Sequence, residues 1–434
     1  MTVNRELTPI EEGFEIINQT GGTLNVVTIS RIIGLLDEVI LRQALDIVQC
    51  RHPLLNCRII KSFNSLRFET AAIKIPLRSF NHLDYQNWTE VVVAEMNQKM
   101  ESHKGLARCV LVKSQNENNV VYLITTLHHA ISDGLSTVQL HSEILTYCQK
   151  IAAGEIINQV DSLHVLPPIQ ELLPDSARGW GSDLQNIFFL LKLTFQYLWY
   201  NPKSLDFQEY VPIKSRRSGM VHKQLDQELT VKLVNFCRKK NTTVQGALCA
   251  ALMFAVAQEI SGNERKDISL SCTSYISLRK HLRSLVSENN LGVLASAITS
   301  FHTLRVNTHF WNLAREVREN LAAELKSDDI FSITMMYKNM IEFLLANPNL
   351  ALTSVAVTNI GQVKIPKFYG PFELTEISFV PAQAIFGGVL SAAVTTFDNR
   401  MILNFMFSLP SNSQNLMEEL ADNVIACLKN ACEY

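Results

Sequence analysis

His128 and His129 stand side by side, Asp133 follows four residues after the second histidine, and Gly134 comes next, in the stretch HHAISDG. An imidazole is neutral near pH 7 and still takes a proton, so one of these histidines suits a general base. The run before them, NVVYLITTL, is strongly β-prone, and strand alternation would send the two histidines to opposite faces. One then faces the packed side of a sheet and the other a cleft, so they cannot share one role. Asp133 falls in a turn before a helical pattern, where its carboxylate can cap that helix or pair with a cation to pin the turn. Gly134 lets the backbone bend sharply or come close to another group. The plain structural alternative is a satisfied core histidine beside an ordinary Asp-Gly turn. No other His, Cys or Glu set has convincing ligand spacing, so no metal is expected.

The elements that must position these residues follow from local pattern. A strand, TLNVVTISRIIG, is followed by a helix, DEVILRQALDIVQCRH, which Asp37 can cap and His52-Pro53 stops. Strand-like runs follow: LLNCRII, LRFET, ARCVLVK and NVVYLITTL, with SQNENN (114–119) between the last two as a hairpin loop. After the His/Asp stretch, GLSTVQLHSEILTYCQKIAAG is helical, with Val138, Ile144, Leu145 and Ile151 on its inner face. From Gly154 to about Gly219 the prolines Pro167, Pro168, Pro174, Pro202 and Pro212 punctuate a long crossover. The second half again opens with strand and helix, MVHKQLD then ELTVKLVNFCRKKNTT. Six further strand-like runs follow, from DISLSCTSYIS to RMILNFMFS, and a terminal helix closes the chain. The pattern gives an α/β protein in two domains of related build: 1–153 carrying the histidines, a linker 154–219, and 220–434.

The totals bound the class. With 434 residues, two domains are the default. Hydrophobic residues make up 47% and charged residues 18%, enough apolar material for buried cores. A formal net charge of −2 offers no global field for nucleic acid, and none is expected as a partner. Nine cysteines, an odd number without CxxC spacing, read as small core hydrophobes in a reducing, cytoplasmic compartment. The start, MTVNRELTPIEEGF, shows no secretory pattern. The segment Asn186–Tyr200, NIFFLLKLTFQYLWY, is shorter than the roughly 20 residues of a spanning helix and carries Lys192 and Gln196. It reads as a helix packed on the protein or against a partner, with a peripheral membrane or lipid contact as the alternative.

HHAISDG matches HHxxxDG, and the chain thereby resembles the acyltransferase superfamily of chloramphenicol acetyltransferases, condensation domains, plant alcohol acyltransferases and polyketide-associated acyltransferases. LTPIEEGFEI, LRQALDIVQCRHPLLNCRI, GLARCVLV, TTVQGALCAAL, SYISLRKHL and VAVTNIGQV are similar to further family segments, in order along the chain. The resemblance implies two chloramphenicol acetyltransferase-like domains arranged as a pseudo-dimer, with an active-site tunnel between them. It implies His129 as general base, with His128 packing and hydrogen-bonding beside it. Asp133 would be structural, paired with Arg279, although Lys280 and Arg283 are neighbouring alternatives. Gly134 would permit close approach of substrate, and Gly292, Thr358 and Asn359 would line the tunnel, the last two as donors to the oxyanion or acceptor.

The implied reaction moves an acyl group from a thioester, acyl-CoA or a phosphopantetheine-bound acyl carrier protein, to an alcohol, with no other cofactor. DFGWG, the second motif of the plant branch, is missing, so the free-standing polyketide-associated acyltransferases are the nearest likeness. Amide formation on a carrier-bound amine and a catalytically silent binding protein are the competing readings. A monomer is expected, since a pseudo-dimer already supplies a two-domain cleft.

Overall fold

The run NVVYLITTL forms strand Val120–Leu127, and every residue of it is buried. It lies between Val26–Ile33 and Ala107–Lys113 and pairs antiparallel with both, so neither edge meets water. This is the inside of a six-stranded sheet that continues through Phe372–Pro381 to Phe368–Tyr369 on one side and reaches Leu77–Phe80 on the other. Only Leu77–Phe80 joins in parallel. A three-stranded sheet of Arg5–Glu6, Ser65–Thr70 and Cys57–Ser62 accompanies it. Helix Gly134–Ala152 packs on the large sheet and against helix Glu38–Arg51. As expected, Asp37 caps the latter, accepting from the Ile40 N–H at 2.8 Å, and the helix ends at His52-Pro53.

The computed structural model describes residues 2–20, 22–62, 65–80, 87–114, 117, 119–177, 180–262, 264 and 266–433. Residues 115, 116 and 118 of the expected hairpin loop lie outside the described residues.

The chain divides into two compact units, but not at the linear boundaries expected at 153/154 and 219/220. Leu282–Leu294 and Val363–Ala382 belong with the residues up to Leu172 in the first unit. The second comprises Leu173–His281, Ala295–Gln362 and Gln383–Tyr434. The physical reason is strand pairing: Phe372–Pro381 hydrogen-bonds to Val26–Ile33, from Glu373 opposite Ile33 to Pro381 opposite Val26. A strand late in the chain thus completes the early sheet.

The second unit has its own six-stranded sheet, ordered Ala295–Leu304, Ile268–Ser277, Val355–Gln362, Leu390–Phe397, Arg400–Leu409 and Arg217–Leu225. Val355–Gln362 runs parallel to both neighbours. Helices Gln227–Lys239, Val244–Ser261, Phe310–Glu324 and Gln414–Ala431 cover its core. Among the described residues, only Val244–Ser261 is long and apolar enough to cross a membrane, and more than half of it is buried inside this unit. At Gly246 a Cβ would come 2.4 Å from the Ala314 carbonyl oxygen, so glycine lets that helix close on Phe310–Glu324.

Candidate active site

The buried strand ends at Leu127, one residue before His128, and a short 3-10 turn follows over His129–Ile131. It is this turn, rather than the pleat, that separates the two imidazoles: His128 is buried and His129 half-buried.

Both ring nitrogens of His128 are engaged. Nδ1 accepts from the Ala130 N–H at 3.1 Å, and Nε2 meets the Glu15 carboxylate at 3.0 Å. Glu15 also accepts from Ser102 Oγ at 2.7 Å and Gln19 Nε2 at 2.8 Å. Burial pushes its carboxyl pKa up, but the bond and charge of His128 with these neighbours outweigh burial and hold it below the ordinary range. Glu15 comes from helix Pro9–Thr20, which opens on a reciprocal pair: the Thr8 N–H donates to Glu11 and the Glu11 N–H to Thr8 Oγ1.

His129 is held differently. Nδ1 lies 2.8 Å from the Ser132 carbonyl oxygen, which accepts only, so this nitrogen carries the proton. The lone pair of the neutral ring is then on Nε2, to which no described residue hydrogen-bonds. The ring stacks on Phe14 with centroids 4.1 Å apart and planes 5° from parallel. Burial lowers the His129 pKa below the ordinary histidine value, outweighing the backbone hydrogen bonds and the Asp133 carboxylate that favour protonation. The result is a neutral imidazole of fixed orientation with one basic nitrogen uncommitted.

Asp133 is the N-cap of helix Gly134–Ala152. Its Oδ1 accepts from the Ser136 N–H at 3.0 Å, and its own N–H donates to Ser136 Oγ at 3.2 Å. Oδ2 accepts from the Leu294 N–H at 3.3 Å, which ties the segment containing Gly292 to the histidine turn. Gly134 lets another group come close: a Cβ there would come 2.4 Å from Phe379, an aromatic ring of the late strand that packs beside it.

Gly292 has φ of +153°, and a Cβ there would meet nothing nearer than Leu166 at 3.5 Å. Arg279, Thr358 and Asn359 belong to the second unit. Arg279 is buried just beyond strand Ile268–Ser277. Thr358 and Asn359 lie within strand Val355–Gln362. The strand bulges after Asn359, whose Oδ1 accepts from the Gly361 N–H at 2.9 Å. Among the described residues, no group of His, Cys, Asp and Glu gathers as a metal site.

Three participants are not among the residues that the HHxxxDG pattern specifies. The Ser132 carbonyl fixes the tautomer, Phe14 stacks on the ring, and Glu15 anchors its neighbour. In IEEGFEII, two acids and a phenylalanine fall on the apolar side of one helix, and that misplaced polarity was the available signal.

Residues 214–408 match the family model of the phthiocerol/phthiodiolone dimycocerosyl transferase C-terminus. The chain is 23% identical over 299 residues to the "Probable alcohol acetyltransferase FCK4" of Fusarium pseudograminearum (strain CS3096), covering 62% of this chain and 58% of that protein. Its matched length is thus less than two thirds of that relative.

Solved structures of the same fold include the TRI3 trichothecene 15-O-acetyltransferase of Fusarium sporotrichioides, with TM-score 0.78, 11% identity and coverage of 98% and 95% of the two chains. Polyketide synthase associated protein 5 of Mycobacterium tuberculosis has TM-score 0.70, 13% identity and coverage of 99% and 100%. The first condensation domain of the calcium-dependent antibiotic synthetase has TM-score 0.72, 12% identity and coverage of 99% and 96%. The chain thus carries the α/β fold shared by these acetyltransferase, polyketide synthase associated and condensation-domain structures.

Proposed function

We propose that the chain is an O-acyltransferase that moves an acyl group from a thioester to a hydroxyl acceptor, with His129 as general base. The observation that carries this reading is the orientation of His129, whose protonated Nδ1 is held by the Ser132 carbonyl at 2.8 Å. Nε2 takes the proton of the acceptor hydroxyl as its oxygen attacks the thioester carbonyl. The tetrahedral oxyanion collapses and expels the thiolate, which takes the proton back from the imidazolium. Protons balance within one turnover. The lowered pKa of His129 keeps the base available near neutrality.

The finer assignments belong to the same proposal. Donor and acceptor meet at His129. Thr358 and Asn359 donate to the oxyanion or acceptor; the Asn359 Oδ1 serves Gly361, which leaves its Nδ2 as the donor. The donor is acyl-CoA or an acyl carrier protein, and the setting is secondary metabolism.

The test incubates purified protein with acyl-CoAs of short to long chain, simple alcohols and simple amines, with mass spectrometry of the products. Ester formation supports the proposal and gives the donor length. Amide as the main product would replace it with condensation chemistry. Ester formation at the uncatalysed rate from both CoA and carrier-bound donors would count against catalysis.

A further inference from the structure

Helix Trp180–Tyr200 carries large apolar side chains on its exposed side as well as on its packed one. Its inward side meets helix Asp329–Ala346 and strand Ala295–Leu304 within the second unit. There Tyr197 and Tyr200 pack on Phe301 at 5.0 and 5.5 Å, and Lys192 is held by Glu324 at 2.8 Å and Asp329 at 3.0 Å. The one basic side chain of the helix, part-exposed at the edge of that side, is committed to this ion pair. On the outward side stand Leu184, Ile187, Phe188, Leu191, Phe195, Leu198 and Trp199, each 53–77% exposed. At 3.6 residues per turn they cover an arc of about 120°, the width that a helix ordinarily gives to a core. No charged residue falls within it.

Size and pattern indicate what covers this face. Large side chains exposed to this degree present on the order of 900 Å² of apolar surface. Monomers seldom leave so much uncovered, and about 800 Å² is what one partner gives to a stable interface. Leu184, Ile187, Leu191 and Leu198 recur at offsets of three, four and seven residues, the seam spacing of helix against helix. A helix that lies on a lipid surface instead flanks its apolar arc with Lys and Arg, and this one has only the committed Lys192.

We propose that this face pairs with the same face of a second copy of the chain, related by a two-fold axis, which makes the protein a homodimer. The proposal revises the monomer expected from sequence and is independent of the acyl-transfer reading.

Analytical ultracentrifugation of the wild-type chain over a wide concentration series tests it. The account expects twice the mass of one chain, with dissociation on dilution. Phe188→Glu combined with Leu191→Glu should sediment as a folded monomer, whereas Leu285→Glu, at an exposed apolar position elsewhere, should stay dimeric. A wild-type monomer at every concentration would overturn the proposal without recourse to any variant, and so would a dimer unaffected by the folded double variant. A wild-type monomer that co-floats with neutral phosphatidylcholine vesicles, and loses this in the double variant, would assign the face to lipid instead.

Discussion

Nδ1 of His129 lies 2.8 Å from the Ser132 carbonyl oxygen, three residues further along the same chain. A carbonyl cannot donate, so this contact fixes the imidazole tautomer and turns Nε2 into the base. The lone pair is aimed by a backbone atom, and no carboxylate is needed to orient the ring. Asp133 is engaged instead as the cap of the following helix.

The first prediction concerns pH. Burial lowers the His129 pKa, and only the neutral ring can act as base. The kcat/KM of ester formation should therefore be flat at neutral pH and fall on its acid limb with an apparent pKa below the ordinary histidine value of 6.5. A pH-rate profile under subsaturating substrate checks this; an acid limb above 6.5 contradicts the burial of the base.

Removing the carboxylate behind His128 should cost stability first. Glu15→Ala leaves His128, Ser102 and Gln19 without their shared acceptor. Losing a buried partner of this kind costs about 3 kcal/mol or more. Chemical denaturation should show that loss, and Glu15→Gln, which keeps one acceptor oxygen, should lose less.

Helix Gly134–Ala152 offers a pair of opposite tests. Asp133→Ala should cost about 1–2 kcal/mol through loss of the cap, with stability and activity falling together and Asp133→Ser recovering most of both. Gly134→Ala should cost about 1–3 kcal/mol, since its Cβ would meet Phe379 at 2.4 Å. In a double-mutant cycle, Phe379→Leu should relieve part of that cost; strict additivity would contradict the contact.

His141 makes the fold itself sensitive to acid. Its Nδ1 lies 2.8 Å from Ser30 Oγ and its Nε2 2.7 Å from Thr125 Oγ1, and burial lowers its pKa from 6.5 to about 3. Below pH 6.5 the unfolded chain takes up a proton that the folded chain refuses. The contribution is therefore fully present above that pH and is lost as pH falls toward 3, by about 2–3 kcal/mol at pH 4.5. Urea unfolding of wild type and His141→Gln between pH 7 and 4.5 should show the steeper loss in wild type.

Much of this was legible locally. The strand before the histidines, the Asp37 cap, the stop at His52-Pro53 and the helix after Asp133 are short-range physics, and each formed where the residues indicate. What escaped was set by distant pairings. Nothing near Phe372–Pro381 announces that it pairs with Val26–Ile33, and that single pairing draws Val363–Ala382 into the first unit and places Phe379 against Gly134. Phe14 and Glu15 likewise reach the histidines only because their helix packs beside the 3-10 turn. The linear motif holds the base and, in Ser132, the carbonyl that sets its tautomer; Phe14 and Glu15 come from elsewhere in the first unit.

The most direct measurement is kcat/KM for thioester-dependent ester formation by wild type and His129→Gln, with melting curves of both. The account predicts a fall of about 10²–10⁴-fold with the melting transition nearly unchanged. A folded His129→Gln protein that turns over within a few-fold of wild type would contradict His129 as the base.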